Sequence, residues 1–243
     1  MDKKYTFDEF MDIIRYLRSE KGCPWDRKQT HESLDRYMLE EAYESVEAIR
    51  NGNTENLCEE LGDVLLQIAL HAAIGEENGE FTAEDIITAE SEKMIRRHPH
   101  VFGEKEEIDA GQVVKNWDEI KKQEKKQEST SDTLKDIPKA LPALMRAEKA
   151  IKRAKKGKEE DFSGEELAKT FERLSKELFT LKNKWEEGQE NQLEEDFEEL
   201  LFQIVNLSVF LQLNAENSLT NATNKFINRF VDIEGLTGKK AQV

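Results

Sequence analysis

The sequence predicts an all-α protein built as two tandem helical bundles, the second a degenerate copy of the first. Three observations carry this expectation. Long segments repeat apolar residues at helical spacing, and runs alternating with period two, the mark of strands, are missing. A fixed offset of 136 residues lays Glu59–Ile68 on Glu195–Ile204, matching Leu65 with Leu201, Gln67 with Gln203 and Ile68 with Ile204.

Helices are predicted over 6–20, 33–51, 54–78, 82–97 and 111–128, then over 138–156, 164–187, 193–216 and 217–234. Gly22-Cys23-Pro24 ends the first. Asn51-Gly52-Asn53-Thr54 makes a turn so short that the helices on either side must be antiparallel neighbours, with Thr54 able to cap the second. The aliphatic stripe Leu39, Ala42, Tyr43, Val46 and Ile49 is the expected core face of helix 33–51. Helix 54–78 contains the run Val64–Ile74, apolar on every side except for Gln67 and His71, and such a helix is normally buried. The polar stretch Gln127–Asp136 reads as a linker. The basic run Lys149, Lys152, Arg153, Lys155, Lys156 and Lys158 reads first as a solvated helix face and more weakly as a patch for phosphate or RNA. The expected division is a helical domain over 1–128, a linker with a basic connector helix over 129–158, and a second helical domain over 159–243.

Composition narrows the function classes. A net charge of −16 argues against non-specific binding to nucleic acid, whose affinity needs Lys and Arg against phosphates. Cys23 and Cys58 form no close-spaced metal motif and read as reduced thiols. No apolar run reaches the roughly 18 residues needed to cross a bilayer, so a soluble cytoplasmic protein is expected.

The chemistry concentrates in four acids. Glu41 and Glu44 on one helix, and Glu60 and Asp63 on the next, form two i,i+3 pairs. Acids at that spacing share a helix face and repel, so the arrangement is unfavourable unless a cation offsets it. Glu60, Asp63, Gln67 and His71 fall in one narrow stripe of an otherwise apolar helix, and no Lys or Arg lies between Arg50 and Lys93 to pair with them locally. Helix 33–51 taken alone is equally well an amphipathic helix with a solvated acidic side. An all-oxygen ligand set suits Mg²⁺, with Mn²⁺ as a substitute, and Mg²⁺ sites commonly share the ion with substrate phosphates. His71 reads as a core histidine with one hydrogen-bond partner.

Candidate phosphate and base contacts lie downstream. Lys93 and Arg97 are i,i+4 on one helix, and Trp117 and Lys121 repeat that spacing on another. The loop Cys23-Pro24-Trp25-Asp26 is read first as a tight connector with Trp25 in the core, and second as a base contact.

With those residues in view, the chain resembles the MazG nucleoside triphosphate pyrophosphohydrolases of the all-α NTP pyrophosphatase superfamily. The resemblance rests on Cys23-Pro24-Trp25-Asp26, Glu40-Glu41-Ala42-Tyr43-Glu44, Glu60-Leu61-Gly62-Asp63 and Arg96-Arg97-His98-Pro99-His100-Val101-Phe102, and extends to Asp136-Ile137-Pro138 and Leu141-Pro142-Ala143-Leu144-Met145-Arg146. It implies two MazG-like bundles. It also implies metal ligands at Glu41, Glu44, Glu60 and Asp63 and nucleotide contacts at Lys93, Arg97, Trp117 and Lys121. The implied reaction is hydrolysis of a nucleoside triphosphate between the α and β phosphates, in a protein that is typically a homodimer. One departure matters. At the offset of 136, Glu177, Thr180, Asp196 and Glu199 stand where the motif has Glu, Glu, Glu and Asp, so activity is expected in the first half and a dimerising or regulatory role in the second. Two rivals remain. A helical interaction protein with solvated acids would show no metal-dependent thermal shift with nucleotide, and a nucleotide or alarmone sensor would show that shift without turnover.

Overall fold

The computed structural model describes residues 3–103, 107–158, 164–189, 191 and 193–238. It is all-α, with no strand among the described residues. The chain divides into two compact units, Met1–Trp117 and Asp118–Val243.

The first unit starts with α1 (Phe7–Arg18), opened by a reciprocal cap in which the Glu9 amide donates to Thr6 Oγ1 and the Thr6 amide to Glu9 Oε2. A single 3₁₀ turn, Asp26–Lys28, leads to α2 (His31–Asn51), which the Thr30 side chain caps. Gly52 ends α2 at φ 65°, a left-handed conformation that glycine enters without a Cβ clash, and the chain reverses into α3 (Thr54–Asn78). The cap of α3 is Asn53, whose Oδ1 accepts from the Asn56 amide, so the expected cap, Thr54, is instead the first helical residue. Then come α4 (Ala83–Arg97), a short α5 (Pro99–Phe102) and α6 (Ala110–Glu124), whose residues from Asp118 on belong to the second unit.

The core of this unit gathers Met11 and Ile14 of α1, Leu34 of α2, Ala83 of α4, and Ala69, Leu70, Ala72, Ala73 and Ile74 of α3. The central half of α3 is thus buried as its apolar run predicts. Burying each larger side chain contributes about 1.5–3 kcal/mol. Small residues let neighbours close in. A Cβ at Gly75 would lie 2.7 Å from the Phe81 ring, so the chain leaving α3 folds back on it only because that position is glycine. Two bidentate ion pairs lock α1 to the C-terminal end of α3. Arg15 donates to both Glu76 oxygens at 2.8 and 2.9 Å, and the buried Arg18 to both Glu77 oxygens at 2.9 and 2.7 Å.

The structure reverses one expectation. On α2 the side turned inward carries Leu34, Ser45, Ala48 and the half-buried Glu41, while Leu39, Tyr43, Val46 and Ile49 are exposed, Ile49 at 59%. Trp25 is also not in the core: it is 51% exposed, with its edge toward the Tyr37 ring at 6.1 Å.

The second unit contains α7 (Thr130–Lys135), α8 (Ala143–Lys158), α9 (Gly164–Glu186), α10 (Leu193–Phe210) and α11 (Ala215–Gly238). Its core is small, with Ile151, Val205, Val209 and Ala215 packed by Leu144 and Ala147. The expected linker 127–136 holds a capped helix, α7, because Ser129 and Asp132 supply the reciprocal cap that polar composition alone conceals. Helix 138–156 starts only at Ala143, just after Pro142, and helix 193–216 stops at Phe210, where Gln212 takes φ 55°. The side chain of Lys158 lies outside the described residues. Cys23 and Cys58 are unpaired. No described helix is long and apolar enough to cross a membrane.

Candidate metal centre

The α2–α3 hairpin builds the site. Two residues of turn fix the register, and the inward side of α2 meets the acidic stripe of α3. One carboxylate oxygen from each of Glu41, Glu60 and Asp63 lies within 4.8 Å of the others, the one such group of three among the described residues. Glu44, exposed on the next turn of α2, stands outside this trio but within hydrogen-bonding reach of Glu60.

The electrostatics are those of a cation site without internal relief. Burial pushes the Glu60 carboxyl above its ordinary value of 4.5, and the neighbouring charges of Glu44, Asp63 and Glu59 push it the same way. Burial likewise raises Glu41, followed by the fields of Asp63, Glu44, Glu40 and Glu60. No ion pair reaches these acids among the described residues. Glu60 Oε2 is shut off from solvent and lacks a hydrogen-bond partner, as do Ser45 Oγ, one turn from Glu41, and Gln67 Oε1, one turn from Asp63. A buried anionic oxygen without a donor is unfavourable by several kcal/mol, and a hard dication is the partner that an all-oxygen set fits. The cluster can therefore hold a metal. Ser45 escaped the sequence reading, although its i+4 spacing from Glu41 was a usable signal.

Further along the unit, the Arg97 guanidinium lies over the Trp117 ring at 5.1 Å, and the His98 ring meets the indole edge-on at 5.1 Å. His98 Nδ1 is tied to the Met94 carbonyl at 2.6 Å. The structure thus joins Arg97 to Trp117 and adds His98, which sequence spacing did not single out. Lys93 pairs with Glu90, one turn back on α4. Lys121 belongs to the second unit and lines a cleft there. His71 is half-buried, its Nδ1 2.7 Å from His31 Nδ1, so only one of the two nitrogens carries the proton. Burial and the facing His31 hold the His71 pKa below 6.5. It is the core histidine that its position in the stripe suggests.

In the second unit, Asp196 lies 2.6 Å from Lys184. The angle is not that of a hydrogen bond, so the attraction is one of charge alone. Glu199 accepts from Gln203 Nε2 at 2.6 Å.

Comparison with known proteins gives the family. The description "MazG nucleotide pyrophosphohydrolase domain" matches residues 29–102, a span that holds all four acids. A nucleoside triphosphate pyrophosphohydrolase/pyrophosphatase MazG of Thermotoga maritima is 44% identical over 237 residues, covering 98% of this chain and 89% of that protein. The chain belongs to the MazG family. Its likeness to the Escherichia coli K12 nucleoside triphosphate pyrophosphohydrolase is 37% over 235 residues, 96% of this chain and 89% of that one. The crystal structure of a MazG-related protein from T. maritima aligns with a TM-score of 0.41 and 34% identity, over 47% of this chain and 98% of that one.

Proposed function

We propose that this MazG chain hydrolyses nucleoside triphosphates between the α and β phosphates, with Mg²⁺ or Mn²⁺, to a nucleoside monophosphate and pyrophosphate. The observation that carries the reading is the trio Glu41, Glu60 and Asp63, converging within 4.8 Å around a buried oxygen that has no donor. When bound, the dication supplies neutralising charge for phosphate oxygens and acidifies a water. Glu41, Glu60 and Asp63 would hold it. Glu44, left outside the trio, accepts the proton of the attacking water. Lys93 and Arg97 offset charge on the phosphates, and Trp117 sets the position of Arg97. Lys121 and Trp25 stand as nucleotide contacts on the resemblance alone. Catalysis is assigned to the first unit, and the second, whose core includes Ile151 of α8, gathers no such acid trio among the described residues. A pyrophosphate-release assay across ribo- and deoxyribonucleoside triphosphates, with Mg²⁺ or with chelator, tests the reading. Release that ignores the chelator would reject it.

The exposed apolar faces of α2 and α3 favour a homodimer. Leu39, Tyr43, Val46 and Ile49, with Leu61 and Leu65 of α3, leave uncovered a set of large side chains that a monomer would rarely expose together. Tyr43→Glu combined with Ile49→Glu is expected to convert a dimer to monomers in sedimentation equilibrium. A wild type that sediments as a monomer would remove this part of the proposal.

A further inference from the structure

The second unit concentrates positive charge in a chain of net charge −16. Lys149, Lys152, Arg153 and Lys156 recur at i, i+3, i+4 and i+7, which puts them on one side of α8. That side does not merely face solvent. It lines a cleft of about 680 Å³ together with Lys121 and Lys122 from the end of α6. Six cations thus meet three carboxylates, Asp118, Glu128 and Glu148, in a space within the ~300–1,000 Å³ typical of small-ligand sites.

Half of the cations are held in place. Lys156 pairs with Asp118, Lys152 with Glu148 at 2.6 Å, and Arg153 donates to the Thr133 carbonyl. Lys122 and Lys149 form no ion pair with a carboxylate among the described residues. Like charges gathered in this way repel, and the repulsion is relieved by an anion carrying several charges. Glu148 adds a second requirement. It is 8% exposed, and its Oε2 is buried without a donor while its other oxygen holds Lys152. A sugar hydroxyl supplies that donor on a turn of the side chain.

We propose that this cleft is a second, metal-independent binding site for a nucleoside polyphosphate, whose phosphates meet the lysines and whose ribose meets Glu148. Its lining shares no residue with the acid trio, and apart from Lys121, which the resemblance counts as a substrate contact, it uses none of the residues of the hydrolytic reading. Protein cations do here what a dication does in the first unit, so binding persists in chelator and weakens as salt rises.

Calorimetric titration of the full chain in chelator tests this, with α,β-methylene ATP and inorganic pyrophosphate as separate probes. Wild type and Glu60→Gln are expected to bind the nucleotide analogue alike, and pyrophosphate more weakly. Lys149→Ala should weaken binding about tenfold, the worth of one charge-assisted contact. Lys122→Glu with Lys149→Glu should abolish it, with the melting temperature showing that the fold is intact. No heat from wild type in chelator would overturn the proposal. So would binding that survives the double reversal, disappears in Glu60→Gln, or belongs to single-stranded RNA but not to the mononucleotide.

Discussion

The offset of 136 residues lays the α2–α3 hairpin on the α9–α10 hairpin, yet the two treat a carboxylate at the matched position in opposite ways. In the first, Glu60 is buried among acids, raised in pKa, and has no cation beside it. In the second, Asp196 sits 2.6 Å from Lys184, which discharges it within the chain. Both hairpins carry acids at the positions that the offset relates, but of the two only α2–α3 keeps an electrostatic deficit that a metal would relieve. Changing Glu to Asp would by itself preserve a ligand oxygen. What closes the second position to a cation is the lysine two turns along α9 from the Glu177 that matches Glu41.

The largest expected effect breaks this comparison on one side only. Glu60→Gln removes the buried ligand charge and should lower Mg²⁺-dependent pyrophosphate release by at least about 10³-fold. Glu44→Gln, outside the trio, should lower it about 10²-fold while calorimetric Mg²⁺ uptake persists. Asp196→Asn should leave release within about twofold, since a lysine-paired acid offers no ligand. Equal losses from Glu60→Gln and Asp196→Asn would place the activity in both halves and defeat the contrast.

Much of this was legible in the sequence, and the failures share a cause. The meeting of Glu41, Glu60 and Asp63, the reversal at Gly52 and the buried half of α3 follow from i,i+3 spacing across a short turn and an apolar run, all of them local signals, while Glu44 lies outside the trio. The α2 stripe misled because periodicity shows that a helix has two faces without showing which one meets its own chain. Leu39, Tyr43, Val46 and Ile49 look like core in one copy and are exposed there. The Lys184–Asp196 pair and the cleft against α8 join residues that no helical period relates. The cleft's sequence signal was a charge run with an ordinary solvated explanation.

A smaller effect separates the two ends of α3 by pH. Glu76 is held below 4.5, first by its hydrogen bonds from Arg15, so its contribution to stability is present above 4.5 and lost as the pH falls further. Glu41 and Glu60 are raised, so the stability they allow the metal-free protein is complete below 4.5 and declines as the pH rises through their elevated values. Thermal melts in chelator should therefore lose stability on both sides of a mildly acidic optimum. Mg²⁺ should remove the loss on the alkaline side only. His71, held below 6.5 beside His31, favours the native state as the pH rises toward 6.5, but equally with and without Mg²⁺, so the difference between the two series isolates the acids. Identical curves in chelator and Mg²⁺ would mean that the trio holds no metal.

The smallest effect concerns Gly62, which lies between Leu61 and Asp63 and corresponds to Glu198 at the offset of 136. A Cβ there would meet nothing within 4 Å, and the residue is exposed mid-helix. Helix propensity alone then predicts that Gly62→Ala stabilises α3 by about 1 kcal/mol. The second hairpin already has a side chain at this position, and it gathers no acid trio among the described residues. If Gly62 is retained so that substrate or a second copy can approach the backbone beside the acids, Gly62→Ala should raise the melting temperature of the free chain while lowering nucleotide turnover or dimer affinity. A gain in stability with turnover and association both intact would show that the glycine serves neither, and would reduce the contrast between the hairpins to the acids and Lys184.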